Sequence, residues 1–365
     1  MPEVSVVVPT FSEVENLREL RARLERALAT FDWELIIVDD DSPDGTADLA
    51  RELAQQDRRV RCIQRIGRRG LSSAVVEGML SSSAPIVAVM DGDLQHDEAV
   101  LPQMIGTLRE GNLDVVVGSR YTELGSTGAW DSRRQRISRM ATRLTRGLVP
   151  EELSDPMSGF FAVRTTVVRE SARRLSTQGY KILFDLFASN KRPLRFAEVP
   201  YTFRTRARGE SKLDSLVIWQ YLMLLADKRF GHIVSPRLLS FALVGGSGII
   251  VHFAVLSGLY LGAGLRFVIA QGLAIWAAMT YNFLCNNLLT YRDRRLHGRA
   301  ALRGLMSFYA VCALGALANI GVAAYAFSQQ AEWALSAAAG IVVGTLWNYL
   351  ASAHFTWGAN AAGRS

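Results

Sequence analysis

Short apolar runs recur along the chain up to about Leu225, and the segments between them carry hydrophobic residues at helical spacing. The runs have the length and the Val/Ile content of buried strands. They are Val4–Pro9, Leu35–Val38, Ile86–Met90 and Asp114–Val117, and a further strand between two helices is expected between the second and third of these runs. Strands that alternate with helices predict an α/β domain, in which helices cover both faces of a parallel sheet.

The helix after the first run carries Leu17, Leu20 and Leu24 on one face. Ser12 precedes this helix, and Glu15 follows three residues later. This spacing predicts a capping box, in which Ser12 caps the helix and Glu15 bonds back to the backbone before it.

From Leu238 to Trp357 the pattern changes to long apolar runs with few charges. Four runs of roughly 20 residues are long enough to cross a bilayer as helices. They are Leu238–Leu261, Phe267–Leu289, Leu305–Phe327 and Trp333–Phe355. The sequence therefore predicts an all-α domain of four transmembrane helices after the α/β domain, and hence a multi-pass membrane protein.

Charges in the loops between these runs predict the topology. The loop between the second and third runs carries five arginines, whereas the loop before it has only Arg266. The positive-inside rule therefore places the arginine-rich loop, both chain ends and the α/β domain in the cytoplasm. The formal net charge of +7 then indicates contact with an anionic leaflet of the inner (plasma) membrane, and no nucleic acid.

Two amphipathic segments are expected near the membrane surface. Arg133–Leu148 places arginines on one helix face and apolar residues on another, which is typical of a helix lying on an anionic membrane. A solvated basic face over the protein core is the alternative for this segment. Ser215–Val234 carries Trp219 and Tyr221 and leads into the first membrane run, as expected for an interfacial helix.

The membrane part also contains a short repeat, which predicts two helical hairpins in tandem that enter the bilayer from the same side. The matching motifs are Asn282-Phe283 with Thr290-Tyr291, and Asn348-Tyr349 with Thr356-Trp357.

Acidic residues follow three of the predicted strands. Glu13 comes after the first strand, Asp39 closes the second, and Asp91 and Asp93 follow the Ile86–Met90 run. These groups should converge, because the carboxyl ends of parallel strands share the edge where open α/β sheets hold their ligands. Two close carboxylates repel each other unless a cation lies between them, and a divalent metal carrying a diphosphate fits this need. We expect Asp93 to bind Mg²⁺ or Mn²⁺ directly, with Asp91 and Gln95 in support.

Basic residues suited to phosphate binding come later in the chain. Arg120 closes the next strand, Arg134 and Ser138 lie one helical turn apart, and Arg206 and Lys212 flank a Gly-Glu-Ser segment. An arginine fork can hold a phosphate through two hydrogen bonds. A single arginine is usually only a surface residue, but the order of these groups after the acidic strand ends favours a functional role.

Taken in order, these motifs resemble the dolichol-phosphate mannose synthase group of glycosyltransferase family 2 over about residues 4–215. The membrane part is similar to the GtrA-like family, whose members have four spans and are linked to lipid-bound sugars. The motifs that carry the first resemblance are Val8-Pro9-Thr10-Phe11-Ser12-Glu13, Asp39-Asp40-Asp41-Ser42-Pro43-Asp44-Gly45-Thr46, Asp91-Gly92-Asp93-Leu94-Gln95-His96, Gly118-Ser119-Arg120-Tyr121, Ser158-Gly159-Phe160 and Arg206 with Gly209-Glu210-Ser211-Lys212.

The resemblance implies a GT-A (Rossmann-like) glycosyltransferase domain over residues 1–213, amphipathic interfacial helices or a linker over 214–236, and a GtrA-like domain over 237–358. It implies metal-dependent, inverting transfer of a hexose from a nucleotide sugar to a polyprenyl (dolichyl or undecaprenyl) phosphate at the cytoplasmic membrane face, with mannose from GDP-mannose favoured. The acceptor phosphate is already an anion near neutral pH, so that catalysis would rest on positioning and on charge stabilisation at the leaving diphosphate.

The resemblance also implies a role for each matching residue. The nucleoside would be held by Pro9, Phe11, Glu13, Ile37 and Asp39. The diphosphate and the metal would be held by Asp91, Gly92, Asp93 and Gln95. The acceptor phosphate would be held by Arg120, Arg134 and Ser138, and Arg206 and Lys212 would close over the donor diphosphate.

Four positions depart from the family pattern. Phe11 stands where the family usually has Tyr, Ser12 where it has Asn, Asp41 where many members have Gly, and Gly92 where Ala is usual. These departures bear on the choice of base and sugar more than on the reaction.

The sequence leaves alternatives open. The donor could be UDP-glucose, and the membrane domain could help to translocate a lipid-linked sugar, because Asn282, Asn287, Asn319 and Asn348 lie at or near membrane depth. Such residues more commonly link helices by hydrogen bonds. A processive polysaccharide synthase is disfavoured because the chain has no Gln-x-x-Arg-Trp motif. A homo-oligomer is compatible with the sequence.

Overall fold

The computed structural model describes residues 1–122, 125–126, 144–145, 147–176, 181–204, 215–230, 235–329 and 333–358. The chain divides into two compact units, Met1–Phe230 and Gly231–Ser365. The predicted amphipathic segment Arg133–Leu148 lies largely outside the described residues.

The first unit is built on a sheet of seven described strands. The strands are β1 (Val4–Thr10), β2 (Trp33–Asp39), β3 (Val60–Gln64), β4 (Ile86–Val89), β5 (Val115–Ser119), β6 (Phe161–Arg164) and β7 (Phe196–Pro200). They lie in the order β3-β2-β1-β4-β6-β5-β7, and β6 runs antiparallel to both of its neighbours while the other pairs are parallel.

The expectation of a purely parallel sheet is therefore wrong. The four strands with predicted bounds are present within two residues of their expected ends, and β3 is the further strand expected between the second and third of them, but β6 and β7 were not expected. An apolar run has the same side-chain alternation in either direction, so that the reversed direction of β6 has no signature in the residue pattern.

Helices cover both faces of the sheet, as the alternating pattern predicts. The helices are α1 (Val14–Ala27), α2 (Thr46–Gln56), α3 (Leu71–Ser81), α4 (Leu101–Glu110), α5 (Thr165–Ser171), α6 (Ile182–Ser189) and α7 (Ser215–Phe230). Val6 and Val8 of β1 pack on one side against Leu20 of α1, whereas Val7 packs on the other side against Met79 of α3. The α/β class is confirmed.

The start of α1 differs from the predicted capping box. The helix begins at Val14, and Glu13 at its N-cap makes no side-chain capping bond. Ser12 adopts a left-handed backbone with φ of 61°. The loop after β2 instead supplies a hydrogen-bond acceptor for the first turn of the helix, because the Val14 N–H donates to Asp44 Oδ2 at 3.2 Å. The capping partner is thus distant in sequence, which local spacing does not reveal.

Helix α7 belongs to the first unit and packs against α6. Tyr221 and Leu224 contact a small cluster that contains Phe184, and the two rings of Tyr221 and Phe184 meet edge to face at 6.5 Å. Lys228 and Asp185 form a buried ion pair with an Nζ–Oδ1 distance of 2.6 Å. The helical part of the segment predicted as an interfacial helix therefore packs against the first unit.

The second unit is helical. Its described helices are α8 (Pro236–Ser257), α9 (Phe267–Cys285), α10 (Gly298–Ser328) and α11 (Trp333–Ala351). Three segments of described residues are long and apolar enough to cross a membrane, Arg237–Gly262, Phe267–Thr290 and Gly298–Ala318. The fourth predicted run coincides with α11, many of whose side chains lie outside the described residues.

The two hairpins of the second unit repeat the same structural details, in agreement with the sequence repeat. Each hairpin ends in a π-helical turn, at Asn286–Thr290 and at Ser352–Thr356. In each, a serine of the first helix contacts the threonine that closes the turn. The pairs are Ser240 with Thr290 at 2.7 Å and Ser307 with Thr356 at 3.2 Å.

Candidate active site

The acidic segments converge on one edge of the sheet because β2, β1 and β4 are neighbouring parallel strands. The Asp40 N–H donates to the carbonyl of Thr10 at 3.0 Å, and Thr10 Oγ1 donates to Asp39 Oδ1 at 3.1 Å. A Cβ placed on Gly92 would lie 3.4 Å from Thr10 Cγ2 and 3.7 Å from Glu13 Cγ. The segments after the three strands therefore meet as expected.

Each of these three strands is followed by a residue with a left-handed backbone. The residues are Ser12, Asp41 and Leu94, with φ of 61°, 57° and 62°. A left-handed Leu is a true outlier, and such strain typically persists at functional sites, where the surrounding structure holds it. Asp41 is fastened by bonds from Gln64 Nε2 at 3.2 Å and from the Gly67 N–H at 3.1 Å.

Asp39 is fully buried at the end of β2. Its carboxylate accepts bonds from the Ser42 N–H at 2.9 Å, from Ser42 Oγ at 2.5 Å and from Thr10 Oγ1 at 3.1 Å. A carboxylate has about four lone-pair positions, and three of those of Asp39 accept bonds within the protein. Asp40 instead pairs with buried Arg65 at 2.6 Å, and burial raises the pKa of Asp40.

The remaining residues expected to hold the nucleoside lie close to the same edge. The guanidinium group of Arg69 stacks over the Phe11 ring at 4.4 Å, and Glu13 Oε2 accepts a bond from Asn16 Nδ2 at 2.7 Å. Pro9 is buried within β1, opposite Val38. The Ile37 side chain is fully buried in the core beneath the edge.

The Asp91–Gln95 segment combines one accessible acid with two buried polar groups. The Asp91 side chain is 37% exposed, whereas Asp93 and Gln95 are buried. Asp93 Oδ1 accepts a bond from the Gln95 N–H at 3.1 Å. Gln95 Nε2 donates to the Arg204 carbonyl at 3.1 Å, and the Arg204 N–H donates back to the Gln95 carbonyl at 2.9 Å. Gln95 is therefore held by two hydrogen bonds to Arg204, in the segment that follows β7.

His96 positions Asp91, a role that sequence reasoning did not assign. The Asp91 N–H donates to His96 Nδ1 at 3.0 Å, and His96 Nε2 lies 3.7 Å from Asp91 Oδ2. The imidazole stacks on Phe160 at 5.1 Å, and burial lowers the pKa of His96 to about 4. A Cβ on Gly159 would lie 3.3 Å from Asp91 Oδ2, so that the small residue leaves room for this carboxylate.

The donor atoms at this edge fit a metal that arrives with a diphosphate. Among the residues that the structure describes, no three His, Cys, Asp or Glu side chains lie close enough to hold a metal ion by themselves. Mg²⁺ commonly takes one or two protein carboxylates and completes its octahedron with substrate phosphates and water. The carboxylates of Asp91 and Asp93 and the amide oxygen of Gln95 meet that need.

Arg120 lies at the end of β5 and is locked into a buried ion pair. Its Nε and Nη2 donate to Asp155 at 2.7 and 2.8 Å, and its backbone N–H also donates to Asp155 at 3.2 Å. Asp155 is fully buried, and Arg120 is only 8% exposed. Burial opposes the charge of Arg120, but the bonds to Asp155 outweigh it and raise the pKa of Arg120. Arg120 is therefore a permanent, oriented cation.

Four predicted phosphate ligands lie outside the described residues. They are Arg134, Ser138, Arg206 and Lys212. Arg204, two residues before Arg206, is held by Asp97 at 2.7 Å and by Glu98 at 2.8 Å. The described chain thus leads from the acidic edge directly into the segment that carries Arg206 and Lys212.

The chain combines an α/β sheet with acidic strand ends and a second, helical and apolar unit, and each of the two matches a known protein family. Residues 5–171 match "Glycosyl transferase family 2". Residues 240–357 match "GtrA/DPMS, transmembrane domain". By class, the protein is thus a glycosyltransferase with a transmembrane domain.

Two relatives, both dolichol-phosphate mannosyltransferases, narrow this class. The dolichol-phosphate mannosyltransferase of Pyrococcus furiosus is 36% identical over 97% of this chain and 99% of its own length. That of Saccharomyces cerevisiae is 38% identical over 62% of this chain and 86% of its length. Glucosyl-3-phosphoglycerate synthase from Mycobacterium tuberculosis, solved with phosphoglyceric acid, is 20% identical, with a TM-score of 0.48 over 62% of this chain and 80% of that chain. The chain belongs to the dolichol-phosphate mannosyltransferase family of glycosyltransferases.

Proposed function

We propose that the protein transfers a mannosyl group from GDP-mannose to a polyprenyl phosphate, with Mg²⁺ or Mn²⁺, at the cytoplasmic face of the inner membrane. The observation that carries this proposal is the meeting of Asp39, Asp91 and Asp93 at one sheet edge, with the oriented cation Arg120 at the end of β5, which β6 separates from β4 in the same sheet. Membership of the mannosyltransferase family supports the sugar and the lipid acceptor.

The acidic edge would hold the donor. Asp39 would accept from the ribose or base through its remaining lone pair, and Phe11 would contact the nucleoside beside Arg69. Asp91, Gly92, Asp93 and Gln95 would hold the diphosphate and the metal. The metal would offset the charge that develops on the leaving nucleoside diphosphate. His96 keeps Asp91 at its place through the 3.0 Å bond from the backbone.

The cations would hold the phosphates. Arg120, Arg134 and Ser138 would bind the acceptor phosphate, and Arg206 and Lys212 would close over the donor diphosphate. The acceptor oxygen is already anionic, so that orientation for in-line attack replaces a strong general base. A single displacement inverts the anomeric centre, and an α-linked donor therefore yields a β-linked product.

The membrane part would keep the enzyme beside its lipid acceptor. We place the domain boundaries at 1–213, 214–236 and 237–358, with the arginine-rich loop in the cytoplasm. Asn282 and Asn348 fill the space that a side chain on Gly248 or Gly315 would need. This close helix packing supports anchoring and assembly as the role of the spans, rather than transport of a lipid-linked sugar.

The test is a transfer assay with a panel of donors. The purified full chain in detergent, with Mg²⁺ and polyprenyl phosphate, is incubated with labelled GDP-mannose, UDP-glucose and other nucleotide sugars, and labelled lipid is extracted. We expect transfer from GDP-mannose. Transfer from UDP-glucose alone would show that the donor sugar is glucose rather than mannose, while the type of reaction would stand. Transfer from none of the donors would refute the proposal.

A further inference from the structure

The side chain of Tyr201 lies at the active-site edge but has no role in the site described above. Tyr201 follows β7, which runs parallel to β5, so that it reaches the same edge as Arg120. Its N–H donates to the carbonyl of Ser119 at 3.2 Å, and its own carbonyl accepts from the Ser126 N–H at 3.1 Å. The backbone of Tyr201 is thus fixed directly beside Arg120.

The ring of Tyr201 is held by aromatic packing. Its centroid lies 5.3 Å from Phe160, 5.8 Å from His96 and 6.4 Å from Phe203, each in an edge-to-face arrangement. Only 3% of the residue is exposed. A ring packed on three sides keeps one orientation, and this orientation also fixes the direction of its hydroxyl group.

The hydroxyl group has no hydrogen-bond partner within the described part of the chain. The nearby Ser158 acts on the Tyr201 hydroxyl, but its Oγ donates its proton to the Gly118 carbonyl at 2.7 Å and accepts from the Phe160 N–H at 3.1 Å, so that it has no proton left to donate to Tyr201. A buried hydroxyl without a partner is costly and rare in native proteins, and a functional role is one recognised explanation.

The charges around this hydroxyl are those of the proposed phosphate sites. Arg120, Asp155 and Asp91 are the charged groups that act on it. Burial raises the pKa of Tyr201, so that the phenol keeps its proton at neutral pH. It is therefore a preoriented donor in a region where bound anions are expected.

We propose that the Tyr201 hydroxyl donates a hydrogen bond to a phosphate oxygen of the bound substrates. This inference rests on the function proposed above. The phosphate can belong to the donor diphosphate or to the polyprenyl phosphate, because both bring anionic oxygens to this edge. A hydrogen bond to an anionic oxygen is stronger than one between neutral groups. The bond formed in the complex therefore offsets the cost of burying an unmatched hydroxyl in the free protein.

Tyr201→Phe tests this role because it removes the hydroxyl and keeps the packed ring. We expect kcat/KM of the full chain to fall about 10- to 100-fold, the effect of one hydrogen bond to a charged group. We expect the Tm of the free protein to stay the same or rise, because the variant no longer buries an unmatched polar group. A side chain with a purely structural bond would instead lower the Tm.

Tyr221→Phe is the matched control. Tyr221 is a buried tyrosine of the same unit, on α7 against Phe184, and it belongs to neither phosphate site. We expect its transfer kinetics to match those of the wild type.

Separate titrations identify the phosphate. A rise in the KM for GDP-mannose alone assigns the bond to the donor diphosphate, and a rise in the KM for polyprenyl phosphate alone assigns it to the acceptor. A fall in kcat with both KM values unchanged assigns it to the transition state. Each of these three results supports the inference.

Two results would overturn it. Kinetic constants of Tyr201→Phe within twofold of an active wild type would refute the role of the hydroxyl alone, as would an activity loss that matches a lowered Tm. A wild-type protein that transfers no sugar would refute the proposed function, and this inference with it.

Discussion

The buried ion pair between Arg120 and Asp155 makes a quantitative prediction about how the arginine side of the site is built. Asp155 is fully buried and accepts two bonds from the guanidinium group and one from the backbone of Arg120. Removal of one partner leaves a buried charge without compensation, which typically costs about 3–5 kcal/mol. Asp155→Ala should therefore destabilise the first unit by that amount.

Thermal unfolding of the full chain in detergent measures this effect. For a unit of this size, 1 kcal/mol corresponds to a Tm change of about 2–4 °C, so that Asp155→Ala should lower the Tm by about 10 °C. Glu52→Gln is the control, because the Arg18–Glu52 pair is exposed at the surface and should contribute nothing measurable.

A second variant separates stability from activity. Replacing both partners, with Arg120→Met and Asp155→Asn, removes the uncompensated charge and should restore much of the lost Tm. It should not restore sugar transfer, because the oriented cation is gone. A Tm of Asp155→Ala within about 2 °C of the wild type would refute this reading of the ion pair.

Three further predictions follow from other parts of the first unit. His96→Asn should flatten the pH dependence of the Tm between pH 6.5 and about 4. In this range His96 of the wild type takes up a proton only when the protein unfolds, so that the wild type loses up to about 3 kcal/mol of stability as the pH falls. A Tm that falls equally steeply with pH in the variant and the wild type would contradict this. Gly92→Ala should keep transfer and raise the free energy of unfolding by about 0.5–1 kcal/mol, because the added Cβ would make only ordinary van der Waals contacts. Loss of transfer in this variant would show that the site has no room for the methyl group. Leu224→Ala should cost about 2–5 kcal/mol in denaturant unfolding, whereas the exposed Leu222 should tolerate Ala, and equal losses would show that α7 is not docked.

The position of the acidic residues could be predicted from the sequence because it depends on few assumptions. An apolar run that ends in an acid, repeated between helical segments, places Asp39 and Asp91 at the carboxyl edge of any parallel sheet. The structure agrees, and Thr10 Oγ1 contacts Asp39 Oδ1 at 3.1 Å. The apolar helices of the second unit followed equally from run length.

The partners of these residues could not be predicted, because they come from distant parts of the chain. Asp155 lies 35 residues from Arg120, and the start of α1 is capped by Asp44 rather than by the nearby Ser12. His96 bonds only five residues away, but nothing in the spacing distinguishes a buried, neutral imidazole from an exposed one. Tyr201 carries no local signal, since its importance lies in a hydroxyl left without a partner.

The most direct measurement is mannosyl transfer to polyprenyl phosphate by the Asp93→Ala full chain, compared with Asp48→Ala. Asp48 is an acid of α2 whose side chain is 84% exposed and forms an ion pair with Arg51. With folding verified by an unchanged Tm, Asp93→Ala should lose more than about 100-fold in rate, because metal stabilisation of a leaving diphosphate is worth several kcal/mol. Asp48→Ala should match the wild type. Normal transfer by Asp93→Ala, undiminished by a chelator, would contradict a metal-bound diphosphate at this edge.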